Sequence, residues 1–149
     1  MTSFSSSRQR QSLTGARLRK HADYLSAYAA GRKHQSASMS WFLAPQPIPD
    51  SSVAAAPAVA RVGLTVGKVL GNAVQRNRIK RRMREALRRH LALLPQGFDL
   101  IFHPRLNVLT MEFAQLEAEI VRILEQAGAE SARIGPSAAT PQAPVQAAP

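Results

Sequence analysis

A basic amphipathic helix is predicted within residues 67–94, which read GKVLGNAVQRNRIKRRMREALRRHLALL. Asn72 is a favourable N-cap, and the helix should end before Pro95 and Gly97. Apolar residues at helical spacing predict its buried side: Ile79, Met83, Ala86, Leu87 and Leu94. The rest of its circumference carries eight cations and a single acid, Glu85.

The charge of this helix indicates an anionic partner. Cations recur four residues apart, at 76/80, 78/82, 80/84 and 84/88, and each such pair costs about 0.2–0.5 kcal/mol. Arginine outnumbers lysine among the eight cations by seven to one. The planar guanidinium suits bidentate contacts to phosphate, which favours nucleic acid as the partner. The alternative is a solvated basic face that binds nothing.

The composition narrows the class of protein further. The chain has 149 residues, a formal net charge of +11 and no cysteine. It therefore lacks the thiolates of zinc fingers and thiol enzymes, and the bridges of disulfide-rich scaffolds. No apolar run approaches the roughly 20 residues of a membrane-spanning helix. Residues 61–90 hold ten Lys/Arg and one Glu, which predicts a defined binding face.

The segments on either side of the basic helix predict a single α+β domain. Strands are predicted where apolar residues alternate or form a short run, at 38–43, 59–66 and 98–102. Two further helices are predicted over 17–30 and 110–127. In the first, we expect the buried side to be Leu18, Ala22, Leu25 and Ala29. Three helices should pack on one small mixed β-sheet.

Three segments are predicted to lie outside this core. Residues 1–15 are rich in Ser, Gln and Arg and should be disordered, and so should the Ala/Pro-rich tail 128–149. Residues 44–58 carry four prolines and predict a surface loop inside a domain that spans 16–127.

Residues 67–81 closely resemble the signature of the bacterial ribonuclease P protein subunit. The centre of that signature is the Arg-Asn-Arg motif at 76–78, followed by Ile-Lys-Arg. The resemblance extends to the basic and aromatic residues of 17–28 and to the strand at 61–66, and covers about 15–127. One departure is Val69, which stands where a second lysine often follows Lys68.

The resemblance implies a fold and a function. The fold has an αβββαβα-like order with a left-handed βαβ crossover through the Arg-rich helix. The family's protein binds a catalytic RNA and the 5′ leader of precursor tRNA. The RNA, which mainly binds the required Mg²⁺ itself, hydrolyses the phosphodiester and leaves the mature 5′ end. We therefore expect a cytoplasmic subunit of a ribonucleoprotein endonuclease, with no membrane partner and no small-molecule substrate.

The resemblance, together with the geometry of the first helix and of the strand at 38–43, indicates two sets of binding residues. Those expected to contact the catalytic RNA are Lys68, Arg76, Asn77, Arg78, Lys80, Arg81 and Arg84. Those expected to bind the leader are Tyr24, Tyr28, Ser40 and Phe42. Weaker phosphate contacts are expected from Arg17, Arg19, Lys20 and Arg61. Aromatic rings stack on unpaired bases at ~1–3 kcal/mol per base with little sequence preference. The alternative is that both tyrosines merely close the edge of the core. Trp41 is expected to lie within the core itself.

No active site borne by the protein is predicted. The four histidines are scattered, and the carboxylates show no cluster suited to a two-metal nuclease centre. This pattern argues against a free-standing nuclease. A non-catalytic basic RNA-binding module, such as a ribosomal protein or RNA chaperone, remains the alternative.

Overall fold

The computed structural model describes residues 17–46 and 59–134. Its main elements follow the αβββαβα order that the resemblance implies: α1 (His21–Ala30), β1 (Arg32–Gln35), β2 (Met39–Pro45), β3 (Arg61–Leu64), α2 (Ala73–Arg88), β4 (Phe98–Pro104) and α3 (Phe113–Ile134). Short 3₁₀ turns occupy Lys68–Leu70, Leu91–Leu93 and Leu106–Leu109. The predicted α+β class is confirmed.

The strands of the described ranges form one four-stranded mixed sheet in the order β1-β2-β4-β3. β2 pairs antiparallel with β1 and β4, whereas β3 pairs parallel with β4. Because α2 lies between β3 and β4 in the chain, these elements form the parallel βαβ unit that the resemblance implies. Its left-handed sense remains an implication of that resemblance.

One face of the sheet is closed by α2 and α3. Strand alternation directs Trp41 of β2 and Phe102 of β4 toward this face, where both are fully buried. The predicted apolar side of this helix is buried in the same cluster, but α2 ends at Arg88, so Leu94 reaches the core from the end of the 3₁₀ turn that follows. The prediction that Trp41 belongs to the core is therefore confirmed.

Within the described ranges, the opposite face of the sheet is covered by α1 and by the segment just before it. A smaller cluster of Leu18, Ala27, Ala44 and Ile101 lies beneath this helix. Partly buried aromatic rings pack against it: Tyr24, Tyr28 and Phe42. This face is therefore only partly closed.

The first helix begins four residues later than the sequence predicts. The Leu18 amide donates to the Val62 carbonyl at 2.8 Å, and Arg17 forms a parallel bridge with Val62. Pairing with the edge of β3 therefore keeps the chain extended before His21. Since Leu18 is outside the helix, it does not set the helical phase.

The predicted buried side of α1 is also wrong. Ala22, Leu25 and Ala29 are exposed, with Leu25 at 54%. Ala27 is buried and the two tyrosines are half-buried. The tyrosine rings present a larger apolar surface to the sheet than the alanines of the predicted side would.

Other boundaries also differ from the predictions: β3 is shorter than the predicted strand 59–66, whereas tertiary contacts extend other elements. The residue pattern alone does not predict β1, and β4 runs on to Pro104. α3 continues through Gly128 to Ile134, so 128–134 does not belong to a disordered tail. Ala44 and Pro45 belong to β2 and not to the proline-rich loop.

The remaining predictions of disorder or loop fall on residues 1–16, 47–58 and 135–149, which lie outside the described residues. None of the helices within the described ranges has the length and apolar character needed to cross a bilayer.

Candidate nucleic-acid interface

The aromatic cleft, defined here by Tyr24, Tyr28 and Phe42, lies between α1 and the sheet. The two tyrosines are one helical turn apart, with ring centroids separated by 6.4 Å. Tyr28 meets Phe42 edge-on at 5.0 Å. Tyr24 packs so closely on β3 that any Cβ at Gly63 would lie 2.7 Å from its ring. The structure thus brings together the three rings predicted to bind a leader.

Both tyrosine side chains are held by hydrogen bonds, and both are only partly buried. The Tyr24 hydroxyl donates to the Leu18 carbonyl at 3.4 Å. The Tyr28 hydroxyl is hydrogen-bonded to Nε2 of His103 at 3.0 Å and lies 3.4 Å from the Thr65 hydroxyl. Burial raises the pKa of Tyr24, so this ring stays a neutral phenol. The rings are therefore fixed in orientation while part of their surface stays accessible.

His103 is a cleft residue that the sequence analysis missed. It lies opposite Ser40 in the β2–β4 register, and its ring is 5.5 Å from that of Phe42. Burial, and secondarily the charge of Lys33, lower the pKa of His103 below its ordinary value of 6.5. The alternation of β4 would have placed His103 in the cleft if the predicted strand had not ended at 102.

The start of α2 is fixed by a capping box. The Gln75 amide donates to Asn72 Oδ1 at 2.9 Å, and the Asn72 amide donates to Gln75 Oε1 at 3.0 Å. Gly71 has a φ of 127°, a conformation that favours glycine. The predicted N-cap is confirmed, and it fixes where the following basic side chains emerge.

The inner flank of α2, defined by Lys80 and Arg84, meets the aromatic cleft at Tyr24, beside the edge strand β3. These two residues line a cavity of about 120 Å³ together with Tyr24 and the exposed Arg17. The apolar part of its wall comes from Leu18, Val62 and Leu64. Two residues predicted to contact the catalytic RNA therefore share a cavity with a predicted leader-binding ring.

The outer flank of α2, defined by Asn77, Arg78 and Arg81, is exposed to solvent. Lys68 is exposed too, in the turn before the helix. Arg76 is half-buried, and its Nε donates to the Gly71 carbonyl at 3.1 Å. Most of the predicted RNA-binding residues thus lie around the first half of α2.

The C-terminal end of α2 is partly neutralised by acidic residues. Glu85 pairs with Arg88 at 2.8 Å and with Arg89 at 3.0 Å. Arg89 also lies 3.5 Å from Glu117 of α3 and stacks over Phe113. Acidic residues therefore offset part of the positive charge at this end of the helix, whereas none lies within the motif at 76–81.

The weaker phosphate candidates differ in their surroundings. Arg19 and Lys20 are exposed, whereas Arg61 makes a bidentate contact of 2.8 and 2.9 Å with the buried Asp99. Its guanidinium also reaches Asp23 at 3.3 Å. Hydrogen bonding to Asp99 raises the pKa of Arg61. Arg61 is therefore part of an ion-pair network that joins α1, β3 and β4.

Comparison with known proteins shows that the sequence is similar to those of ribonuclease P proteins. A family model described as Ribonuclease P matches residues 14–128. The ribonuclease P protein component of Chloroflexus aggregans is 39% identical over 112 residues, covering 74% of this chain and 76% of that protein. The corresponding Synechococcus protein is 33% identical over 112 residues, covering 74% and 80%.

Solved structures of RNase P proteins also match the structure of this chain. The Staphylococcus aureus RNase P protein matches with a TM-score of 0.60 and 27% identity, covering 75% of this chain and 94% of that one. The RNase P protein from Thermotoga maritima has the same fold, with a TM-score of 0.61, 24% identity and coverages of 74% and 96%.

Proposed function

Because the chain belongs to the ribonuclease P protein family, we propose that it is the protein subunit of a ribonucleoprotein that removes 5′ leaders from precursor tRNA. In this proposal the protein binds the catalytic RNA through the outer flank of α2. It binds the single-stranded leader through the aromatic cleft. The endonucleolytic step belongs to the RNA.

The observation that carries the proposal is the junction of the aromatic cleft with a cationic cavity. Tyr24 belongs to both, since its ring lies 6.4 Å from Tyr28 and also lines the cavity with Lys80 and Arg84. A single strand of RNA presents stackable bases and a phosphate on every nucleotide. A groove that offers rings and cations side by side suits both groups at once.

The proposal divides the basic residues of α2 into two groups. Lys80 and Arg84 are assigned to leader phosphates, because they face the cavity that Tyr24 lines. Asn77, Arg78 and Arg81 are assigned to the catalytic RNA, because they are exposed and do not line that cavity. Asn77 adds an amide that can both donate and accept among these cations.

The protein's part in the reaction is to bind and orient the precursor. Within 17–46 and 59–134, no group of three or more His, Asp or Glu side chains is arranged to hold a metal ion. The proposal assigns the Mg²⁺ to RNA phosphates, where it supplies the electrophilic catalysis of phosphodiester hydrolysis. Stacking on Tyr24, Tyr28 and Phe42 holds the leader while the cations neutralise its backbone.

Reconstitution tests this proposal. Precursor tRNA and Mg²⁺ are incubated with the protein alone, with the catalytic RNA alone, and with both. We expect no cleavage by the protein alone, and stronger precursor binding and faster cleavage at low salt when both are present. Mature tRNA, which lacks a leader, is the control ligand and should bind about equally with and without the protein.

Two outcomes would contradict the proposal. Cleavage by the protein alone would identify a free-standing nuclease. RNA binding without any effect on cleavage would instead fit the non-catalytic basic RNA-binding module that the sequence leaves as an alternative.

A further inference from the structure

A row of polar residues crosses the sheet beside the aromatic cleft. In the strand register Gln35 lies opposite Ser40, and Ser40 lies opposite His103. Thr65 continues the row, because its amide donates to the carbonyl of Phe102, next to His103. The rings of Tyr28 and Phe42 border this row, so a base stacked on either ring would lie beside it.

Of the two ring nitrogens of His103, one is hydrogen-bonded within the described residues and the other can bond a ligand. Nε2 is hydrogen-bonded to the Tyr28 hydroxyl at 3.0 Å. Among the described residues, Nδ1 makes no hydrogen bond. The imidazole is half-buried, with its centroid 5.8 Å from that of Tyr28 and 5.5 Å from that of Phe42.

The polar character of His103 suits a base better than a phosphate. Burial and the nearby Lys33 lower the pKa of His103, so the ring is neutral near pH 7. A neutral imidazole has one donor and one acceptor, and either tautomer leaves Nδ1 able to form one hydrogen bond. Cations at the edges of the cleft, such as Lys33 and Lys80, are better suited to the backbone charge.

We propose that His103 is a leader-binding residue that holds the Tyr28 hydroxyl through Nε2 and hydrogen-bonds a leader nucleotide through Nδ1. This inference rests on the proposed function, because it requires a leader in the cleft. It adds to the stacking rings a contact that depends on the functional groups of the nucleotide.

Two substitutions separate the roles of the two nitrogens. His103→Asn keeps a polar atom near the position of Nδ1, whereas His103→Gln keeps one near Nε2. Affinity of the reconstituted holoenzyme is measured for long-leader precursor and for mature tRNA. We expect His103→Gln to bind the precursor about three- to ten-fold more weakly, the loss of one hydrogen bond, with mature tRNA unchanged.

Tyr28→Phe is the matched control, because it removes the hydrogen bond to Nε2 from the other side. His103→Asn should show the same small loss as Tyr28→Phe and no more. A wild-type affinity for His103→Gln together with a loss for His103→Asn would mean that His103 only positions Tyr28. Wild-type affinity for both variants would overturn the inference entirely.

An abasic scan identifies the nucleotide that His103 contacts. Each leader position is replaced in turn by an abasic nucleotide, and the effect of His103→Gln is measured on each substrate. The effect should disappear at one position, where the base that Nδ1 contacts is missing. An effect that is the same at all positions would contradict a base contact.

Failure of the inference can be distinguished from failure of the proposed function. The same titrations give the preference of the wild-type holoenzyme for precursor over mature tRNA. If the protein adds nothing to that preference, the leader-binding function itself is wrong. If it does and neither His103 variant responds, only the role of His103 is rejected.

Discussion

The two faces of the sheet share the same strand alternation but are covered very differently. On the face under α2 and α3, Trp41 and Phe102 are 1% and 0% exposed. On the face under α1, their neighbours Phe42 and His103 are only half-buried. Among the described elements, the ten-residue helix α1 packs over this second face. Of two adjacent residues in one strand, one thus belongs to the closed core and the other to the open cleft.

This difference separates stability from binding. On the closed face, large side chains gain free energy by leaving water on folding. On the open face, hydrogen bonds from Tyr24 and Tyr28 fix the rings while leaving them partly exposed to a ligand. We therefore expect neighbouring substitutions to have different consequences, depending on the face they occupy.

The largest expected effect distinguishes Trp41 from Phe42. Trp41→Ala should lower the free energy of unfolding by about 3–5 kcal/mol, because it opens a cavity in the closed core. Phe42→Ala should cost clearly less stability but weaken binding of long-leader precursor. Urea unfolding of the free protein and precursor titration of the holoenzyme measure the two effects. Equal losses of stability would mean that both faces are packed alike.

The next effect concerns the tyrosines of α1. Replacing both Tyr24 and Tyr28 by Ala should weaken precursor binding by about thirty-fold or more, since each of two stacked bases contributes ~1–3 kcal/mol. Mature tRNA binding should be spared. The control variant replaces both by Phe, which keeps the rings and should retain most of the affinity. Equal losses for precursor and mature tRNA would contradict the assignment of the cleft to the leader.

The parts of the fold that the sequence predicts correctly have strong local signals. Asn72 and Gln75 form the capping box that starts α2, and the alternation around Trp41 and Phe42 defines β2. β1 lacks such a signal, because its sequence RKHQ has no apolar alternation. It is held by pairing with β2 and by contacts of Arg32 and His34 with the buried Glu130.

The same contacts explain why α3 passes the glycine at which it was predicted to end. Glu130 lies beyond Gly128, and its carboxylate is 3.3 Å from Arg32 and 2.8 Å from His34. These interactions favour the helix past a residue of low helix propensity. Such a pairing between distant segments leaves no mark in local sequence patterns.

The candidate site, like the fold, was predictable from the sequence only where its features are local. The spacing of Tyr24 and Tyr28 and the strand position of Phe42 are local features. The division between the flanks of α2 depends on where α1 lies, and the use of Arg61 depends on its register with Asp99. Both are consequences of tertiary packing, so the sequence assigned all the cations of the motif to one RNA.

A smaller effect on stability is expected where α3 meets the turn between β1 and β2. The buried carboxylate of Glu119 accepts hydrogen bonds from the Ser38 amide at 2.9 Å and from the hydroxyls of Ser36 and Ser38. Burial acts to raise the pKa of Glu119, but these bonds together lower it below 4.5. Glu119→Gln should cost about 1–3 kcal/mol at neutral pH, because the bonds to a charged acceptor are lost.

The sign of the pH dependence follows from that lowered pKa. Above pH 4.5 the carboxylate is charged in both states and its stabilisation is complete. As the pH falls through the folded-state pKa, the stabilisation is lost, because the unfolded state binds the proton more tightly. Urea unfolding between pH 7 and pH 3 should show a weaker pH dependence in Glu119→Gln than in the wild type. Glu125→Gln, at an exposed position of the same helix, is the control and should retain the wild-type dependence.

The smallest expected effect tests the two flanks of α2 with a matched pair of arginines. Arg78 and Arg84 are six residues apart, which places them about 120° apart around the helix. Arg78→Ala should weaken catalytic-RNA binding and reduce its salt slope by about 0.7–0.9, the loss of one phosphate contact. Arg84→Ala should instead reduce the preference for precursor over mature tRNA, because its side chain lines the cavity beside Tyr24. If the two variants exchanged these effects, the cavity would belong to the catalytic RNA, and the open face would bind its leader without help from α2.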